Sequence, residues 1–313
     1  MRRTGGRWIA VLALGAVAAG CGPAEPASPD RSLPPPPTAT RQVAADPWHA
    51  VVAVEVGGSG LTRGLGMVLD EGGHVVTGLS ADVAAGQPAT VTVAGGATLD
   101  AEVVGVDSRT GVTVVRVSDP TGLVPATLGD SHLVAAGDEV VVATGPAGPA
   151  AEPLSGTVRD PSVLVGAVSM IEIDVAPRGG GVVATDDGAA LGLIVSSATG
   201  GREAGFALPV TLVARVADQL IAGEPPSHPY LGLVLEPGPG GAVVRQVVAG
   251  GPAEQAGLRP GDVVTALDGR VVEDPGDLVA VVQSLDVGRE VAVAFTRDGA
   301  EREARVTAVA APD

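Results

Sequence analysis

The chain has 313 residues, which suits two domains of ordinary size, and 45% of its residues are apolar, ample for buried cores. Its formal net charge is −17, and all 19 cationic side chains are arginines. Nucleic-acid binding needs a basic face, and adsorption to an anionic membrane needs clustered positive charge. The composition therefore argues against both kinds of partner and indicates folded, soluble domains.

The amino terminus has the pattern of a secretory signal. Arg2, Arg3 and Arg7 form a basic segment, and the apolar residues 8–19 follow. This apolar run is too short to serve comfortably as a permanent membrane-spanning helix. We therefore expect residues 1–20 to be a signal peptide and the rest of the chain to be extracytoplasmic.

Cys21 is the only cysteine of the chain and directly follows the apolar segment. The sequence VAAGC at residues 17–21 resembles the bacterial lipobox, although Ala18 stands where leucine is usual. The resemblance implies a signal peptide of the lipoprotein type and a lipid-modified Cys21, whose acyl chains would anchor the protein to the outer side of the cell membrane. The alternative is a free thiol, since one cysteine cannot form an internal disulfide.

Residues 21–46 are rich in proline and include four consecutive prolines at 34–37. Such segments adopt an extended conformation of about 3 Å per residue and act as semi-rigid spacers. We expect a disordered tether that lifts the folded part off the membrane; a ligand for a proline-binding domain is the alternative.

From Trp48 onward, short valine-rich segments alternate with turns, and no helical periodicity appears. Gly72-Gly73 between two such segments indicates a hairpin. The pattern predicts an all-β sandwich or barrel. The predicted strands are residues 51–56, 66–70, 74–77, 89–93, 99–106, 112–117, 139–143, 155–159, 170–174, 181–184 and 191–195.

The order of several motifs resembles the protease domain of the high-temperature-requirement A (HtrA) family of serine proteases. The resemblance implies a mainly β, trypsin-like fold of two six-stranded β-barrels over residues 47–208. The motifs are GLGMVLD at 64–70, GHVVT at 73–77, GVD at 105–107 before the strand at 112–117, IEID at 171–174, DGAALGL at 187–193 and GFALPV at 205–210.

Proteases of this family use a His–Asp–Ser triad in which the histidine takes the serine proton and the aspartate orients the histidine. By the resemblance, the histidine position follows Thr77 by three residues and is Ser80. The aspartate position follows Asp107 by four residues and is Gly111, and the serine position is Gly179. None of the three residues supplies the required chemistry, so the resemblance implies a catalytically degenerate protease.

Substitutes for the triad are not apparent. His49, His74, His132 and His228 have no metal-ligand spacing, and we interpret each as a surface or structural residue. We expect no metal and no cofactor. The backbone N–H groups around Gly179 leave one alternative, a residual oxyanion-type pocket that holds a carboxylate or a peptide end.

Residues 209–225 predict a linker helix, with Pro209 in the first turn and Gly223 at the end. Residues 228–310 then resemble an HtrA-type PDZ domain, an α+β fold with a partly open β-barrel. The matching segments are YLGL at 230–233, GPAEQAGL at 251–258, RPGDVV at 259–264, DGRVV at 268–272, a helix at 277–285 capped by Asp274 or Asp277, and strands at 291–295 and 302–309 joined by Asp298-Gly299.

The resemblance implies a binding site for an extended peptide, which a PDZ groove takes up as an added strand. The N–H groups of the YLGL loop would meet a C-terminal carboxylate, and a glycine in that loop lets the ligand approach closely. Apolar side chains would surround the last side chain of the ligand. The predicted peptide-binding residues are Tyr230, Leu231, Gly232, Leu233, Leu278 and Val282.

Three functions compete at this point. The first is a membrane-anchored, extracytoplasmic pseudoprotease whose PDZ domain binds the C-termini or unfolded segments of envelope proteins. The second is an active HtrA-like serine endopeptidase of envelope protein quality control. The third is a structural or chaperone-like envelope protein that uses the barrel surface.

Overall fold

The computed structural model describes residues 47–57, 62–79, 83–146, 152–177, 179–198 and 203–312. The predicted signal peptide, the proline-rich tether with Cys21, and Ser80 lie outside these residues. Within the described part of the chain, every helix is too short or too polar to cross a membrane.

The first six strands close into an antiparallel barrel in the order β1-β2-β3-β6-β5-β4. Its interior consists mainly of valines from alternating positions, of which Val54, Val75 and Val91 are completely buried. The strands are β1 (Val51–Val56), β2 (Thr62–Val68), β3 (His74–Gly78), β4 (Pro88–Thr92), β5 (Thr98–Val106) and β6 (Val112–Val117).

The next six strands form a second closed barrel in the order β10-β11-β12-β9-β8-β7. The prediction of two six-stranded barrels is therefore confirmed. The strands are β7 (Glu139–Ala143), β8 (Leu154–Val165), β9 (Val168–Ile173), β10 (Gly181–Ala184), β11 (Ala190–Ala198) and β12 (Ala204–Pro209).

Strands β8 and β9 extend further than the sequence predicts and form one long hairpin. Proline and glycine commonly interrupt strands, and the segment contains Pro161 and Gly166. The pairing register shifts between Asp160 and Val163, so the proline lies in an irregularity, and Gly166 adopts φ +66° at the hairpin turn. The hairpin therefore projects from the second barrel.

Helix α1 (Val210–Ile221) follows the second barrel and contacts both barrels. Its apolar face shares one core with Met67 and Val114 of the first barrel and with Leu193 and Leu208 of the second. A helix with such a stripe is stabilised by burial, and this one fixes the two barrels together.

The remaining residues form the PDZ domain. Its main sheet has the order β14-β15-β16-β18-β19, which leaves β14 as an edge strand. Asp274 caps the long helix through the N–H of Asp277, and Asp298 and Gly299 both have positive φ, as a tight hairpin requires. The elements are β13 (Pro229–Tyr230), β14 (Leu233–Gly238), β15 (Gly241–Val247), α2 (Pro252–Gln255), β16 (Val263–Leu267), β17 (Arg270–Val271), α3 (Pro275–Gln283), β18 (Glu290–Arg297), β19 (Ala300–Thr307) and β20 (Val309–Ala310).

Candidate peptide-binding site

Two glycines lie where the resemblance places the acid and the nucleophile of the triad. Gly111 directly precedes β6 and has φ +77°, and its N–H donates to the Asp107 carbonyl at 2.8 Å. Gly179 lies just before β10 with φ +87°. A methyl carbon on the adjacent Gly180 would lie 3.9 Å from the Leu65 nitrogen, so Gly180 lies next to β2 of the first barrel. Neither Gly111 nor Gly179 carries a group that moves protons or attacks a carbonyl.

Two histidines pair with aspartates elsewhere. His74 Nδ1 lies 2.7 Å from Asp70 Oδ2, and His228 Nε2 lies 3.1 Å from Asp107 Oδ1. Among the described residues, no serine hydroxyl lies within hydrogen-bonding distance of either ring. Within the described residues, both pairs are thus histidine–aspartate contacts without a serine partner.

A cavity of about 390 Å³ lies beside β14 and α3 of the PDZ domain. Its walls are mainly leucine and valine side chains, of which Leu231 and Leu278 are each only 3% exposed. These two residues belong to the core of the PDZ domain and also line the groove. Of the predicted peptide-binding residues, the cavity is lined by Tyr230, Leu231, Leu233, Leu278 and Val282.

The loop between β13 and β14 holds two unused hydrogen-bond donors. The Leu231 carbonyl accepts from the Ala253 N–H at 2.9 Å, and the Gly232 carbonyl accepts from the Val248 N–H at 2.9 Å. The N–H groups of Leu231 and Gly232 donate to no acceptor among the described residues. Gly232 has φ +79°, which glycine adopts without strain. The loop is thus held by its carbonyls while two donors stay available for an anionic ligand group.

Profiles of two protein families match the chain: a trypsin-like peptidase domain over residues 64–193 and a PDZ domain over residues 229–308. The serine protease PepD of Mycobacterium tuberculosis is 32% identical over 338 aligned positions, covering 94% of this chain and 70% of PepD. The chain belongs to the HtrA family of trypsin-like serine proteases with a PDZ domain.

Other HtrA-family proteins match over shorter parts of their length. A probable periplasmic serine endoprotease DegP-like of Brucella suis is 31% identical over 275 residues, covering 81% of this chain and 53% of the relative. The chain thus spans about half the length of the DegP-like relatives. The structure of HtrA-type protease AlgW with tripeptide superposes with a TM-score of 0.61 at 23% identity over 85% of this chain and 95% of AlgW, and it supports the fold.

In this HtrA-family chain, the barrels contribute to the groove cavity, which the sequence did not indicate. The β5–β6 turn supplies Arg109 and Thr110, and the tip of the β8–β9 hairpin supplies residues 164 and 166–168. Arg109 and His228 are the only charged or imidazole side chains among the described residues of the lining. The cavity therefore contains no carboxylate, in a chain with 36 acidic residues, which suits a ligand that ends in one.

The His228–Asp107 contact predicts an acid-sensitive junction. Burial raises the pKa of Asp107, but the hydrogen bonds from His228 and Thr110 and the charge of His228 outweigh it, so this pKa lies below its usual value. The stabilisation is complete above the ordinary carboxyl pKa of about 3.9 and is lost as the pH falls through the lower folded-state value. Below pH 4, the unfolding temperature of Asp107→Asn should therefore fall less steeply than that of the wild type in calorimetric scans.

Asp100→Asn is the control for this experiment, because Asp100 is exposed and lies outside the histidine contact. It should reproduce the wild-type dependence on pH. If the unfolding temperatures of the wild type and Asp107→Asn fell equally steeply below pH 4, the Asp107 contact would contribute nothing to acid sensitivity.

Proposed function

We propose that this HtrA-family protein holds the C-terminal segments of other proteins in its PDZ groove and does not cleave them. One observation carries the proposal: the free N–H groups of Leu231 and Gly232 stand beside an apolar groove that opens along the edge strand β14. Free donors suit a terminal carboxylate, the edge strand suits an added peptide strand, and the apolar walls suit the last side chain.

The proposed lack of catalysis is supported by the residues at the triad positions. A serine hydroxyl is a weak nucleophile without a histidine to take its proton, and a glycine offers neither group. With Gly111 and Gly179 at two positions and Ser80 at the third, the acid, the nucleophile and the base would all be missing.

A second candidate function, an active serine endopeptidase, is favoured by the names of the relatives. PepD is a serine protease, and the Brucella protein is a probable periplasmic serine endoprotease. An active enzyme would need a nucleophile and a base at positions other than Ser80, Gly111 and Gly179.

We place the protein outside the cytoplasm, anchored by lipid at Cys21. The basic and apolar signal pattern, the cysteine directly after it and the periplasmic relatives support this location. The partners would be C-termini or unfolded segments of envelope proteins, held at a distance from the membrane by residues 21–46.

Fluorophosphonate labelling and cleavage of unfolded casein test the two candidates on the soluble chain that starts at Gly22. We expect neither labelling nor cleavage, together with saturable binding of a fluorescent peptide that has a free C-terminus and an apolar last residue. The same peptide with a C-terminal amide is the matched control and should bind at least tenfold more weakly. A labelled serine that maps to one site and whose alanine variant loses cleavage would establish the endopeptidase instead.

A further inference from the structure

The tip of the β8–β9 hairpin covers the peptide groove. Residues 162–169 form this hairpin cover, and Leu164, Gly166, Ala167 and Val168 line the same cavity as Leu233. Val168 is 7% exposed, while Leu164 remains 39% exposed. One wall of the groove therefore belongs to the barrel and leaves with it if the domains separate.

The hairpin cover is fastened to α3 at both ends of that helix. Near the start of α3, the Ser162 hydroxyl donates to Asp277 Oδ1 at 2.6 Å. Near its end, the Ser169 N–H donates to Gln283 Oε1 at 2.7 Å. Gly276 lies so close to the Ser162 carbonyl that a methyl group there would overlap the oxygen. The hairpin cover is therefore attached along the length of α3, the helix that forms one side of the groove.

The covered groove is short. Strand β14 has six residues, but only Leu233, Val234 and Leu235 line the cavity. At roughly 3.3 Å per residue, three residues offer an added strand about 10 Å of edge. A ligand strand pairs residue by residue with its neighbour, so this length accommodates about three ligand residues.

We propose that the docked hairpin cover admits only the last three or so residues of a ligand, and that longer extended segments bind after α3 has separated from the barrel. The proposal rests on the proposed peptide-binding function and adds a ligand class and a gate to it. Domain docking and the binding of long ligands are then coupled, because residues beyond the last three or so contact β14 only in the undocked form.

Unsatisfied polar atoms at the same junction favour reversible docking. Ser169 Oγ beside the cover, and Nε and Nη2 of Arg215 on α1, are buried without a hydrogen-bond partner among the described residues. The third nitrogen of Arg215 donates to the Ser227 carbonyl at 2.7 Å, directly before the PDZ domain. Water would satisfy the orphaned atoms when the domains separate, which lowers the net cost of undocking.

The test compares a three-residue and a ten-residue peptide that end in the same three residues, by fluorescence anisotropy on the full soluble chain. On the wild type, we expect the longer peptide to bind no more tightly than the shorter one. Gly276→Ala should undock α3 by its clash with the Ser162 carbonyl, and alanine suits this helical position better than glycine. We expect Gly276→Ala to raise the affinity for the longer peptide about tenfold and to change that for the shorter one little.

Leu164→Ala tests the hairpin cover from the barrel side without changing the PDZ domain. Like Gly276→Ala, it should raise the affinity for the longer peptide and change that for the shorter one little. Leu133→Ala is its control, because Leu133 is 79% exposed and does not line the cavity. If the wild type binds the ten-residue peptide tenfold more tightly than the short one, and both variants leave the ratio unchanged, the gate is wrong while peptide binding stands. If no variant binds either peptide, the proposed function itself fails.

Discussion

Gly232→Ala is expected to weaken binding of a C-terminal peptide about tenfold or more, a loss of roughly 1.4 kcal/mol of binding free energy. Gly232 has φ +79°, and an added methyl carbon would lie 3.3 Å from Pro252 Cδ. A left-handed conformation costs an ordinary residue roughly 1–2 kcal/mol. The loop relieves this strain by rotating the peptide units that carry the two free N–H groups, so the carboxylate loses its donors. Anisotropy titration with a free-carboxyl peptide measures the effect.

Gly240→Ala separates strain from a role in binding. Gly240 has φ +80° in the same domain, and nothing lies within 4 Å of an added methyl carbon. Gly240→Ala should be destabilised about as much as Gly232→Ala, but it should bind the peptide with wild-type affinity. If both variants bind as the wild type does, the loop between β13 and β14 is not the carboxylate site.

Asp262→Ala is expected to destabilise the PDZ domain by about 3 kcal/mol, near the lower end of what breaking a buried ion pair costs. Asp262 is 1% exposed and accepts from Arg297 at 2.6 Å and 2.7 Å and from the Arg259 N–H at 2.7 Å. Arg297 retains the Gly257 carbonyl as an acceptor. For a domain of this size, the unfolding temperature should fall by roughly 12–24 °C, which calorimetry or hydrogen exchange resolved over residues 228–310 measures.

Glu290→Ala is the control for the buried pair. Glu290 also pairs with an arginine, Arg305 at 3.4 Å, but both side chains are more than half exposed. Exposed pairs contribute less than about 1 kcal/mol, so this variant should unfold close to the wild type. If Asp262→Ala were as stable as Glu290→Ala, Asp262 would not hold its loop in place.

Local patterns determined much of the architecture. The valine segments at 51–56, 112–117, 139–143 and 181–184 became strands with those bounds, because alternating β-branched residues between turn residues have few other stable arrangements. The Asp298-Gly299 turn likewise follows from its two residues. The β8–β9 hairpin is longer than its pattern predicts, since Pro161 and Gly166 end strands in most contexts and here occupy an irregularity and a turn.

The sequence by itself determined the two barrels, the PDZ domain and five of the residues that line the groove, because motif order and periodicity are properties of the chain. Only the tertiary structure decided that the groove is shared between domains. Leu164 and Val168 are more than sixty residues from Leu233 in the chain, and no local pattern relates them. They meet at one cavity because α3 packs on the β8–β9 hairpin, with Gly276 leaving room for the Ser162 carbonyl. Such a contact depends on the complementary surfaces of two folded domains, which local sequence patterns do not encode.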